Sequence, residues 1–188
     1  MTYNRLPTAQ ALPQLTSHSK GGRMLLPSRG FREAKVGRDM AEDTYYVFGP
    51  GEGHRQEARG SIMHFKARAA TTNGQFSLME RTLPPSVRMS PAHVHVGCEE
   101  AFYILNGQVT FVFGAIERTV GPDTFVLVPG GTAHTLGNKS GEPARLLILH
   151  SPALDGYFVE LDALWSRPVP PTVEEERALM SRYGMRAP

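Results

Sequence analysis

The amino-acid sequence predicts an all-β domain, an antiparallel sandwich or barrel, carrying an N-terminal arm and a C-terminal helix. Three observations predict it. Glycine and proline number 19 and 15 among 188 residues, about 18% against an average near 12%, so the chain turns often. Short runs of β-branched and aromatic residues recur from residue 61 onward, each bounded by turn residues. Asn106-Gly107 stands between two apolar runs and is the dipeptide that most favours a tight hairpin.

Taken in order, residues 1–40 show weak periodicity and read as an irregular arm. Thr44–Phe48 (TYYVF) is a predicted strand, ended by the turn from Gly49 to Gly53. Strands are then predicted at Ser61–Ala67, Gln75–Thr82, Phe102–Leu105, Gln108–Phe113, Phe125–Val128 and Arg145–His150. Turn residues divide them: Thr72-Asn73-Gly74, Pro84-Pro85, Asn106-Gly107, Gly121-Pro122-Asp123, Pro129-Gly130-Gly131 and 138–141. After Trp165 a Pro-rich connector leads to Thr172-Val173-Glu174-Glu175, a capping box that opens a helix ending near Tyr183. Gly184 suits its left-handed exit. The acids Glu174 to Glu176 read as charge favourable at a helix N-terminus, not as catalytic groups. The expected divisions are an arm over 1–40, a barrel over 41–165, and connector plus helix over 166–188.

Composition excludes several classes. At 40% hydrophobic and 20% charged the chain is an ordinary globular one, not a disordered one. No apolar run approaches the roughly 18 residues of a membrane span, and Met1–Leu15 lacks the pattern of a secretory signal. One cysteine, Cys98, forbids an internal disulfide and a Cys-rich zinc site. These features predict a cytoplasmic protein with no membrane partner. Residues 1–94 carry 13 basic and 7 acidic side chains, and residues 95–188 carry 7 and 11. The basic ones are scattered singly and lack aromatic interleaving, so no nucleic-acid partner is expected.

Chemistry concentrates at Pro91–Glu100. Alternate residues of a strand project from one face about 6.6 Å apart along the chain, so His93 and His95 present two imidazoles on one side. A carboxylate follows, Glu99 or Glu100, and a Pro/Gly turn at 129–131 tips His134 off an apolar strand. Glu100 shares parity with Phe102 and Ile104; Glu99 faces the other way.

These residues resemble both signature motifs of the cupin superfamily. His93, His95, Glu100 and Gly107 meet the first, and Pro129, Gly131, His134 and Asn138 the second. Asp123 departs from the pattern, standing where the family has glycine, although Gly121-Pro122 lies just upstream. The resemblance covers about residues 60–165 and implies a small antiparallel β-barrel, the double-stranded β-helix or jelly roll. It also implies one divalent transition metal ion held by His93, His95, Glu100 and His134, and its spacing selects Glu100 over Glu99. No ligand falls at Cys98. His18 and His54 read as surface groups, and His64 and His150 first as structural ones. Phe102, Ile104, Phe111, Phe113 and His64 are the candidate walls of a substrate pocket.

Three imidazoles and a carboxylate suit Ni, Fe, Mn, Co, Cu or Zn. The wording around the motifs is similar to that of bacterial single-domain quercetin dioxygenase-like cupins. That resemblance implies dioxygen and an aromatic or enolic small molecule, a flavonol or similar enolisable 3-hydroxy ketone, as partners. Glu100 would be catalytic, taking the hydroxyl proton before the ring opens with loss of carbon monoxide. The alternatives are a non-oxidative metal cupin (isomerase, cyclase, dehydratase or decarboxylase) and a small-molecule-binding cupin without turnover. A homodimer is the family's expectation.

Overall fold

The computed structural model describes residues 45–87 and 90–188; the predicted arm over 1–40 lies outside them. Along the chain run β1 (His54–Ala58), β2 (Ser61–Ala67), α1 (Ala69–Thr72), β3 (Ser77–Leu83), β4 (Val94–His95), β5 (Glu99–Asn106) and β6 (Val109–Phe113). There follow β7 (Ile116–Val120), β8 (Phe125–Val128), β9 (Thr135–Gly137), β10 (Ala144–Ser151), α2 (Asp155–Trp165), α3 (Val173–Arg182) and β11 (Met185–Arg186). A six-stranded antiparallel sheet takes the order β1-β2-β3-β10-β5-β8, a three-stranded one the order β7-β6-β9, and β4 pairs with β11. The fold is all-β, with two helices after the last long strand.

Strand alternation builds the core. Met63 and Phe65, Met79 and Leu83, Phe102 and Ile104, and Leu146 and Ile148 all point inward from the larger sheet. Val109, Phe111 and Leu136 meet them from the smaller one. Each fully buried side chain of this size contributes about 1.5–3 kcal/mol.

The turns separate expectation from outcome. Asn106-Gly107 does not close a hairpin: β5 pairs with β10 and β8, while β6 pairs with β7 and β9. The turn instead carries the chain from one sheet to the other. Gly107 is required twice over, by its φ of 74° and because a Cβ there would lie 2.4 Å from the Pro143 carbonyl oxygen. The hairpin between β1 and β2 turns on Arg59 and Gly60, with φ of 52° and 72°, the paired positive angles of a type I′ turn.

Two predicted elements are corrected. Tyr45–Phe48 forms no strand; Tyr45 is 83% and Val47 81% exposed, so these apolar residues have no neighbouring strand to pair with among the described residues. The stretch assigned to the barrel up to residue 165 closes with a helix, α2. Its first turn is preceded by Leu154, whose side chain caps nothing, so no start signal is written in the sequence. The capping box before α3 is formed, with Glu175 N–H donating to Thr172 Oγ1 at 3.2 Å and Thr172 N–H to Glu175 Oε2 at 2.8 Å. Glu176 is more than helix-end charge: it is fully buried, accepting from Trp165 Nε1 at 2.9 Å and from Arg59 Nε at 3.2 Å. Among the described residues no helix is long and apolar enough to cross a membrane.

Gly107→Ala is expected to cost at least about 2 kcal/mol in urea unfolding, since the added methyl meets backbone at a positive φ. A loss within about 0.5 kcal/mol, the range of a neutral surface change, would contradict this account of the crossing turn.

Candidate metal centre

Backbone pairing brings the two motifs together. His93 N–H donates to the His134 carbonyl at 3.0 Å, and His134 N–H returns the bond at 2.9 Å. Gly131 N–H donates to the His95 carbonyl at 2.9 Å, which ties the Pro129–Gly131 turn to β4. Glu100 stands on β5 opposite His150 of β10 and Val128 of β8. His93, His95, Glu100 and His134 thereby place four donor atoms within 4.8 Å of one another, on side chains no more than 8% exposed.

The imidazoles are oriented from behind. His93 Nδ1 lies 2.8 Å from the Pro91 carbonyl and His134 Nδ1 3.0 Å from that of Thr132. A carbonyl only accepts, so each Nδ1 carries the hydrogen and, in the neutral ring, each Nε2 presents its lone pair inward. His93 Nε2 lies 3.2 Å from His95 Nε2, while Glu100 Oε2 is 2.8 Å from His134 Nε2 and 3.2 Å from His95 Nε2. The other carboxylate oxygen, Oε1, is 3.0 Å from His150 Nε2.

The charges follow from this crowding. Burial, then the neighbouring His134, pushes the His93 ring down to about 4, leaving it neutral at pH 7. Burial also lowers His134, but its hydrogen bond to Glu100 and the carboxylate charge outweigh that and raise it. Burial would lift Glu100; the charge of His150 and hydrogen bonds to His134, His150 and His95 instead hold it well below the usual carboxylate range. His93 is thus neutral and Glu100 ionised, while His134 shares a proton with Glu100; with that proton released, the set offers imidazole nitrogen beside a carboxylate, a donor chemistry that fits a divalent transition metal.

The structure places the remaining candidates elsewhere. Glu99 is exposed on the outer side of β5. Cys98 is buried, and that burial pushes its thiol up to about 11. The expected pocket wall is corrected: Phe102, Ile104 and Phe111 are fully buried between the sheets, Phe102 edge-on to Phe111 with ring centres 4.9 Å apart. Phe113 stacks on Phe111, ring centres 5.9 Å apart. His64 shares the outward face of β2 with Ile62 and Lys66. Inward aromatics of so small a barrel are consumed in filling it.

A chamber of about 30 Å³ does open on His93, His95 and Glu100, but its other walls include Arg59, Arg81, His150, Tyr157, Phe158 and Met180. Two of these were visible to parity. His150 continues the inward series Ala144, Leu146, Ile148, and Arg81 falls between inward Met79 and Leu83. The helix residues gave no such signal.

Two antiparallel sheets enclosing a possible His/Glu metal site define a β-barrel of the double-stranded helix class. Residues 79–150 match the family Cupin_2, described as a cupin domain. A stretch of 90 residues is 32% identical to quercetin 2,3-dioxygenase of Bacillus subtilis (strain 168), covering 48% of this chain and 26% of that enzyme. The matched stretch thus spans about a quarter of that relative. KdgF from Halomonas sp. superposes with a TM-score of 0.50 at 15% identity, over 60% of this chain and 98% of that one. A predicted oxalate decarboxylase from Thermotoga maritima aligns at 20% identity and a TM-score of 0.49, over 59% and 100% of the two chains. The KdgF superposition shows the fold alone.

Proposed function

We propose that this chain is a mononuclear metal-dependent dioxygenase of the quercetinase type, acting on an enolisable 3-hydroxy ketone. The observation that carries the reading is the convergence of His93, His95, His134 and Glu100, with the first and third rings held by backbone carbonyls so that His93 Nε2 faces His95 and His134 Nε2 faces the carboxylate. The likeness to quercetin 2,3-dioxygenase over 90 residues supports the class of reaction. When bound by these four side chains, a divalent metal ion supplies Lewis-acid and redox capacity.

The chain's own contribution is proton handling and enclosure. Glu100 is the catalytic residue that accepts the substrate's hydroxyl proton, being ionised and buried in the chamber wall. His150 is a positioning residue, fixing Glu100 Oε1 at 3.0 Å. Leu136, Leu154 and Phe158 exclude bulk water.

Size narrows the substrate. The chamber of about 30 Å³ holds only a few water-sized groups, whereas drug-sized ligands occupy roughly 300–1,000 Å³. A flavonol therefore enters only with Met180 and Met185 displaced. Those two flexible side chains and His93 also line an outer cavity of about 160 Å³, which supplies the route. A non-oxidative reading has one observation in its favour: three imidazoles gathered on Glu100 suffice to move a proton on and off carbon without dioxygen.

Self-association is proposed through the outer face of β5 and β8. Tyr103, Phe125 and Leu127 are 38%, 62% and 56% exposed there, and β8 ends its sheet among the described residues, leaving an apolar patch beside an open edge.

Three outcomes are expected. His134→Ala loses most of its bound metal on elemental analysis while Glu99→Ala keeps it; equal loss in both would contradict the choice of carboxylate. Metal-loaded protein given quercetin or smaller 3-hydroxy ketones consumes oxygen and releases carbon monoxide. Exchange of solvent deuterium into the ketone without oxygen uptake would replace the dioxygenase with the non-oxidative enzyme. In sedimentation, the wild type is a dimer and Leu127→Glu shifts it toward monomer; a monomeric wild type would refute the interface.

A further inference from the structure

Arginine on the inward face of a β-strand is costly, because a buried guanidinium stays charged and gives up its water. β3 puts one there. Arg81 is 8% exposed and lines the chamber together with His93, His95 and Glu100. Its Nε and Nη2 donate to the Ser61 hydroxyl at 3.0 and 2.8 Å. That hydroxyl is neutral, and Arg81 makes no ion pair with a carboxylate among the described residues.

A second guanidinium reaches the same chamber. Arg59, 5% exposed, is held at φ 52° in the β1–β2 turn, a left-handed position that a long side chain rarely takes. Its Nε pairs with Glu176 Oε1 at 3.2 Å and its Nη2 donates to the Tyr157 hydroxyl at 3.4 Å. Glu176 therefore answers one of two buried cations. The acid that lines the chamber itself, Glu100, is already shared by His95, His134 and His150. Burial and then the Arg59 charge push the Arg81 guanidinium down to about 10, so it remains cationic at neutral pH.

The geometry points to a small carboxylate as the group this chamber takes: the substrate is a short enolisable acid whose carboxylate sits on Arg81, with Arg59 and Tyr157 beside it. This rests on the proposed metal centre for which end of the substrate reacts, but not for the ion pair itself. A guanidinium fork matches a carboxylate in shape and charge. An acid of three or four carbons also needs far less displacement of Met180 and Met185 than a flavonol to enter a chamber of about 30 Å³. A flavonol brings neither the carboxylate nor the size.

The test is calorimetric titration of the full chain, with and without Ni²⁺, using pyruvate, its methyl ester and inorganic phosphate as probes. Pyruvate is expected to bind at least about tenfold more tightly than the neutral ester, the worth of one charge-assisted pair. Arg81→Met should abolish that preference with metal content unchanged, and Arg81→Lys should keep part of it. Should Arg81→Met fail to fold, a rise in wild-type melting temperature with pyruvate but not with the ester carries the same expectation. Equal binding of acid and ester, tighter binding of phosphate, or a preference that survives in a folded Arg81→Met would overturn the assignment. A wild type that holds no metal would refute the proposed centre instead, and the acid–ester comparison on that same sample still decides for or against Arg81.

Discussion

An ionised carboxylate cannot be buried alone. Removing such a group from water costs on the order of several kcal/mol even after relaxation, and Glu100 is 5% exposed with its proton held off. What makes its burial tolerable is a shell of three imidazoles, His95, His134 and His150, at 2.8–3.2 Å. They come from separate parts of the chain, so the packing of β4, β5 and β10 and the turn before β9 must all be right at once. The bridge between His93 and His134, and the bond from Gly131 to His95, are the backbone devices that hold this register.

The open side of the barrel is closed by the end of the chain. Tyr157 and Phe158 of α2, Met180 of α3 and Met185 of β11 cover the centre, and Arg59 anchors this cover through Glu176, which also accepts from Trp165. Helices α2 and α3 and the short strand β11 together form the chamber's roof. Pairing of Met185 with His95 places that roof directly on β4, the strand that carries one of the four donors and adjoins a second, His93. Access and ligation are thereby properties of neighbouring residues.

Much of this was legible in the sequence, and the limits have physical reasons. Strand alternation and the Pro/Gly turn, both local rules, marked His93, His95 and His134 as candidates, and the resemblance to the cupin motifs completed the set with Glu100; the structure gathers all four. The Thr172–Glu175 capping box and the strand at Phe125–Val128 were equally local. β1 and β7 were missed because their residues are mostly polar and exposed, with no apolar alternation to read. Asn106-Gly107 declared a tight turn, but whether it joins two strands of one sheet or crosses between sheets depends on partners far along the chain. The same holds for the chamber. Strand aromatics were available as walls, yet Phe102 and Phe111 were needed for the core, and the walls came from residues 154–185 and from two arginines. His150 and Arg81 obeyed parity all along; reading them required trusting the pattern over the expectation that inward residues are apolar.

The central claim is that one divalent ion is held by His93, His95, Glu100 and His134, with nitrogen and oxygen donors and no sulfur. X-ray absorption at the metal edge of the loaded protein tests it most directly. The account predicts a first shell of nitrogen and oxygen near 2.0–2.2 Å, with the outer-shell scattering of three imidazoles. A sulfur scatterer near 2.3 Å, which only Cys98 or a methionine could provide, or the absence of imidazole scattering, would contradict it.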